Sequence, residues 1–115
     1  MSVVIWHNPK CTTSGRVLEM IRATGIEPRV VEYVKTPPTA AEIKAALKEM
    51  GLSPRELLRR RGTPYDELGL DDPGKTDAEL IAAMAEHPIL IERPIMVRGA
   101  RAVVGRPPET VQEIL

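Results

Sequence analysis

The 115-residue sequence has one cysteine, two histidines, one tryptophan, two tyrosines and no phenylalanine. A single cysteine cannot close an internal disulfide, so an apolar core must hold the fold. With Cys11, His7 and His87 as the only thiol and imidazole ligands, a closed tetrahedral zinc site would need carboxylates, and no spacing in the sequence offers them. So few aromatic rings leave no stacking platform for single-stranded nucleic acid. Neither sign of charge is in excess: sixteen basic residues face sixteen acidic ones. No global field therefore draws the chain to nucleic acid or to an anionic membrane, and any anion site has to be built locally. No window is long and apolar enough to span a bilayer, and Met1 to Trp6 lacks the basic segment and long apolar run of a secretory signal. The expectation is a soluble, cytoplasmic protein with no nucleic-acid and no membrane partner.

What is present is apolar content of 43%, enough to close one ordinary core, and residues 1–115 are read as a single domain. Val3 to Trp6 is a short β-branched run that meets the turn-prone His7-Asn8-Pro9-Lys10, as a buried strand leaving a sheet does. From Thr13 or Ser14 to Thr24, the apolar residues Val17, Leu18 and Ile21 recur at helical spacing. Ser14 is a candidate cap and Gly25 a stop. A second strand, Pro28 to Tyr33, completes a β-loop-α-β unit whose strands should pair in parallel.

Three capping signals follow, Thr39 with Glu42, Ser53 with Glu56 and Thr76 with Glu79, and they mark a helical block over about 39–86 with breaks at Gly51 and Gly69. Ile95 to Arg98 and Ala102 to Val104, joined by Gly99-Ala100, read as a hairpin, and Pro108 to Leu115 as a closing helix. The order βαβ, helices, ββα is that of an α/β, thioredoxin-like fold with a helical subdomain inserted and packed on the sheet. In that architecture an active thiol sits after the first strand, at the start of the first helix, which is where Cys11 stands.

A cysteine is a nucleophile only as thiolate, and a helix N-terminus lowers its pKa through free amides and partial positive charge. A lone cysteine can also be a small core residue, but the polar neighbours His7-Asn8-Pro9-Lys10 and Thr12-Thr13-Ser14 do not resemble a core segment. The same loop could hold an anion on successive amides and on the hydroxyls of Thr12, Thr13 and Ser14. His7 either supports the thiolate by hydrogen bond or charge, or simply caps the strand end. Guanidinium groups hold tetrahedral oxyanions bidentately, so the arginines matter. Arg93 and Arg106 each precede a proline at an end of the hairpin. Arg59-Arg60-Arg61 reads as the cationic end of a helix, and spacing does not select among its members.

Several motifs in one order resemble the glutaredoxin-dependent arsenate reductases, with the related Spx and uncharacterised reductase-like branches. They are His7-Asn8-Pro9-x-Cys11, Leu18-Glu19-Met20-Ile21-Arg22, Thr36-Pro37-Pro38-Thr39, Leu57-Leu58-Arg59, Pro64-Tyr65-x-Glu67-Leu68-Gly69-Leu70, His87-Pro88-Ile89-Leu90-Ile91-x-Arg93-Pro94-Ile95 and Arg106-Pro107. The resemblance implies that Cys11 attacks arsenate, that His7 tunes the thiol, and that Arg59, Arg93 and Arg106 hold the oxyanion. Glutathione, as co-substrate, would give a mixed species that glutaredoxin resolves with release of arsenite, and no cofactor would be bound. It also implies a cis peptide before Pro94. The chain departs from close relatives at Thr12, where a glycine is frequent, and at Gly15-Arg16, where the basic residue stands one place later. Two other readings belong to the same superfamily. A Spx-like regulator that binds RNA polymerase typically uses a two-cysteine switch, which Cys11-x-x-Ser14 lacks, and a monothiol transferase would act on another substrate.

Overall fold

In the computed structural model, which describes residues 2–115, the chain forms two compact units. One runs up to Thr36 and resumes at Arg93–Leu115; the other is Pro37–Glu92.

The first unit is built on a four-stranded sheet. Strand β1 is Val3–His7, β2 Arg29–Glu32, β3 Ile95–Arg98 and β4 Arg101–Val104, in the spatial order β2-β1-β3-β4. β1 pairs with β2 in parallel, Ile5 opposite Val30, through the crossover helix α1, Thr12–Ala23. β3 runs antiparallel to β1, Ile5 opposite Met96, and turns into β4 through Gly99-Ala100, where Gly99 supplies the left-handed φ of 61°. Val3, Ile5, Val17, Ile21, Met96, Val111 and Ile114 make its core. Each large side chain among them contributes roughly 1.5–3 kcal/mol by leaving water. The expected thioredoxin-like βαβ…ββα order is therefore the observed one.

Two details of this unit differ from the sequence expectation. α1 starts at Thr12, one or two residues early, with Cys11 itself in the N-cap position. Ser14 is thus not the cap; it lies inside the first turn, fully buried. The closing helix is present, as a 3-10 helix over Pro108–Glu113. Such tight turns suit short terminal pieces in which few i to i+4 bonds can form.

In the second unit α2 is Ala40–Met50, α3 Pro54–Leu57 and α4 Asp77–Glu86, followed by a 3-10 turn at Pro88–Leu90. All three anticipated capping boxes are formed, each with a hydroxyl on the N3 amide and a Glu side chain returned to the cap amide. Ile43, Leu47, Leu57, Leu80, Met84 and Leu90 fill the space between these helices. α3 is a single turn, and the extended Leu58 ends it. Arg59-Arg60-Arg61 is therefore not the cationic end of a helix. Leu58 instead bridges Ile91 in antiparallel fashion, so backbone pairing rather than a helix dipole fixes the run.

Candidate active site

Cys11 is presented by a loop that closes on itself. Its N–H donates to the Asn8 carbonyl at 3.0 Å, the Lys10 N–H donates to Asn8 Oδ1 at 3.0 Å, and the Gly15 N–H returns to the Cys11 carbonyl at 3.0 Å. Beneath it, Ser14 Oγ accepts the Asn8 N–H at 3.0 Å and lies 2.6 Å from His7 Nδ1. With the serine oxygen already accepting, the simplest arrangement has its hydroxyl donate to an unprotonated Nδ1. Burial lowers the His7 pKa and Arg22 lowers it further, against an opposing pull from Glu32, so the ring is neutral at pH 7. His7 thus braces the loop from below through Ser14 as a neutral ring. The Ser14 hydroxyl faces inward, to His7 and Asn8; it is the Ser14 amide that serves the sulfur. Thr12 is exposed and Thr13 half-buried in the same first turn.

The end of the hairpin lies against the thiol. Arg106 Nη2 is 3.5 Å from Cys11 Sγ, and its Nε donates to the Arg93 carbonyl at 2.7 Å. The Gly105 N–H donates to the Pro94 carbonyl at 2.8 Å. A Cβ at Gly105 would stand 2.9 Å from Val17 Cγ2 and 3.1 Å from Pro94 Cγ, so only glycine lets the chain pass this close before Arg106. The Arg93-Pro94 bond is cis, as expected, and so is Arg106-Pro107.

Burial pushes the Cys11 thiol up. The Ser14 amide, a hydrogen bond and charge from Arg93, and the charge of Arg106 outweigh it, and the net pKa is lowered. No acidic side chain stands in the first turn of α1 to oppose them.

Tyr33, immediately after β2 and almost wholly buried, joins the site without a motif of its own in the sequence. Its hydroxyl is linked to Arg93 and Asn8, and burial raises its pKa, which keeps it a neutral donor. The available signal is a tyrosine, amphipathic at its tip, at the end of a strand beside the active loop. Arg59 belongs to the second unit, where it pairs with Glu92. Arg16, the displaced basic residue of α1, is exposed and pairs with Glu109 at 3.5 Å. Among the described residues no three His, Cys, Asp or Glu side chains gather as a metal site, and no helix is long and apolar enough to cross a membrane.

A single cysteine at the N-cap of the first helix of a βαβ…ββα fold, with Arg93 and Arg106 beside its sulfur and a cis peptide before Pro94, is the arrangement of a thioredoxin-like thiol protein. The chain belongs to the ArsC family, whose model matches residues 6–114. It is 52% identical over 115 residues to an arsenate reductase of Rhizobium meliloti, covering all of this chain and 82% of that one. It is 48% identical over 114 residues to an arsenate reductase of Escherichia coli K12, covering 99% of this chain and 81% of the other. An arsenate reductase structure from Vibrio cholerae superposes with a TM-score of 0.97 at 48% identity, over 100% of this chain and 98% of that one.

Because thiolate is the alkylated form, the iodoacetamide reaction of Cys11 should rise with pH through a midpoint below that of an ordinary thiol, about 8.5. Removing Arg106 should move the midpoint up. A wild-type midpoint at the ordinary thiol value would show that the cation and amide contacts do not activate the sulfur.

Proposed function

We propose that the protein reduces arsenate to arsenite with electrons from glutathione, and that glutaredoxin regenerates it. The observation that carries this reading is the Arg106 guanidinium 3.5 Å from the Cys11 sulfur at a helix N-terminus. A nucleophile and a binding group for tetrahedral oxyanions then coincide. The arsenate reductases named above support the choice of arsenate.

In the proposed cycle arsenate lies against Arg93 and Arg106, with the amides of Thr12, Thr13 and Ser14 as donors. The Cys11 thiolate displaces a hydroxide from arsenic, which takes up a proton and leaves as water. The thiolate of glutathione then attacks the Cys11 sulfur. The sulfur–arsenic bond breaks, its electron pair stays on arsenic, and arsenite leaves. A Cys11–glutathione disulfide remains, which a glutaredoxin thiol clears by exchange. His7 and Ser14 hold the loop while this happens. The cytoplasm, kept reducing by glutathione, suits the scheme.

The deciding experiment measures arsenite released by the purified protein given arsenate, glutathione and glutaredoxin. Release should be sustained, and it should stop when arsenate or Cys11 is removed. A wild-type protein that releases none, although its thiol alkylates readily, would overturn the assignment and leave the activated thiol in place.

A further inference from the structure

Tyr33 reaches the thiol site from the edge strand of the sheet. β1 and β2 are paired as far as His7 opposite Glu32, and the residues that follow on the two segments are Asn8 and Tyr33. The Glu32 carbonyl then accepts both the Lys35 N–H and the Thr36 N–H at 2.9 Å, so the chain turns at once and Tyr33 is fixed between a strand and a turn. It is 1% exposed. A phenol buried this far has to place its hydroxyl on polar groups, and here these are Asn8 and the Arg93 guanidinium. A guanidinium has only donors, so the tyrosine oxygen accepts from Arg93.

Both contacts lead to the sulfur. The Asn8 carbonyl accepts the Cys11 N–H at 3.0 Å, and Arg93 is itself hydrogen-bonded to Cys11. Arg106 Nε donates to the Arg93 carbonyl at 2.7 Å, so the hairpin end holds the Arg93 main chain while Tyr33 holds the tip of its side chain. The charge of the holding group matters as well. Arg16, Arg22 and Arg60 each meet a carboxylate, which offsets their attraction for a further anion. Burial keeps the Tyr33 hydroxyl protonated, so it orients the guanidinium and leaves its positive charge in place.

We propose that Tyr33 is a positioning residue of the anion site, whose hydroxyl holds the Arg93 guanidinium in the orientation that grips a tetrahedral oxyanion beside Cys11. The inference rests on the proposed oxyanion role of Arg93. A long arginine side chain that loses this acceptor samples other rotamers, which it must give up again when the anion binds. The hydroxyl acts by preorganisation, and its removal should appear in anion affinity more than in the chemical step.

Tyr33→Phe tests this, because it keeps the ring in the core and removes only the hydroxyl. Inorganic phosphate, a tetrahedral anion that a thiol does not reduce, serves as the probe, read by its protection of Cys11 from iodoacetamide. Arsenite release is followed in parallel, and thermal melts check the fold. The variant should need roughly three- to tenfold more phosphate for half-protection, and the KM for arsenate should rise similarly with kcat changed less than about twofold. In an Arg93→Ala background the substitution should have no further effect on protection, since Tyr33 acts through that guanidinium, whereas a hydroxyl that only stabilised the core would weaken both backgrounds alike. Unchanged protection in Tyr33→Phe, the same loss without Arg93, a fall in kcat with KM unmoved, or no protection of the wild type would overturn the inference. Phosphate protection weakened as expected in Tyr33→Phe, without arsenite release by the wild type, would defeat arsenate reduction alone. Sustained arsenite release with protection unchanged in Tyr33→Phe would defeat the positioning role alone.

Discussion

Replacing Arg106 by lysine is expected to lower kcat/KM for arsenate by roughly ten- to a hundredfold, the scale of one or two charge-assisted hydrogen bonds, and Arg93→Lys by a similar factor. The reason is geometric. One guanidinium of Arg106 reaches in two directions at once, through Nη2 to the Cys11 sulfur at 3.5 Å and through Nε to the Arg93 carbonyl at 2.7 Å. An ammonium has a single nitrogen and cannot span both while also presenting a fork to an oxyanion. Arg93 is similarly committed, with its guanidinium shared between Tyr33 and Cys11. The charge survives in both lysine variants, so the thiol should remain partly activated and the loss should fall mainly on oxyanion handling. Arg60→Ala is the control: that side chain is exposed, paired with Asp66 and laid over the Tyr65 ring, and its loss should cost less than about twofold. Steady-state kinetics on the three variants, with thermal melts to confirm folding, decide the matter. Wild-type kinetics in both lysine variants, or equal damage in Arg60→Ala, would show that the anion site lies elsewhere.

The parts of this site that are legible in the sequence are those governed by local rules. The β-branched run Val3 to Trp6, the helical spacing of Val17 and Ile21 and the stop at Gly25 are short-range signals, and they suffice to place Cys11 at a helix start. The capping boxes at Thr39, Ser53 and Thr76 are readable for the same reason: partners three residues apart need no tertiary information. The His7–Ser14 pair spans a turn at a separation of seven residues that no helix or strand period predicts, and only the burial of Ser14 distinguishes it from a cap. Arg59 carries the same lesson further. Its run reads as a helix end because Leu57 and Leu58 continue an apolar pattern. The bridge to Ile91 and the pairing with Glu92, thirty-three positions away, arise only in the folded chain. Tyr33 is silent in the sequence because β2 ends at Glu32, and nothing local says that the next side chain turns toward Arg93.

Turnover is expected to depend wholly on an outside thiol, and this follows from the electron count. Taking arsenate to arsenite requires two electrons, delivered as one electron pair while two sulfurs become joined as a disulfide. The chain supplies one of those sulfurs, since Cys11 is its only cysteine. The second must come from another molecule. Glutathione fits because a small thiolate can reach the half-exposed sulfur, and because the cations that lower the Cys11 pKa also make it a good leaving thiol when glutaredoxin later attacks the mixed disulfide. Without glutaredoxin the protein should therefore accumulate at the disulfide stage. Intact-protein mass spectrometry after mixing with arsenate and a modest excess of glutathione should show one added glutathione. That adduct should be absent from Cys11→Ser, absent when arsenate is omitted, and lost within seconds to minutes when reduced glutaredoxin is added. Cys11→Ser should release no arsenite above background under any of these conditions, the largest effect expected of any single substitution, because a serine hydroxyl is not appreciably ionised near neutral pH and cannot carry the electron pair as sulfur does. Repeated turnover with no thiol added, or a glutathione adduct that persists in Cys11→Ser, would mean that electrons reach arsenic by another route.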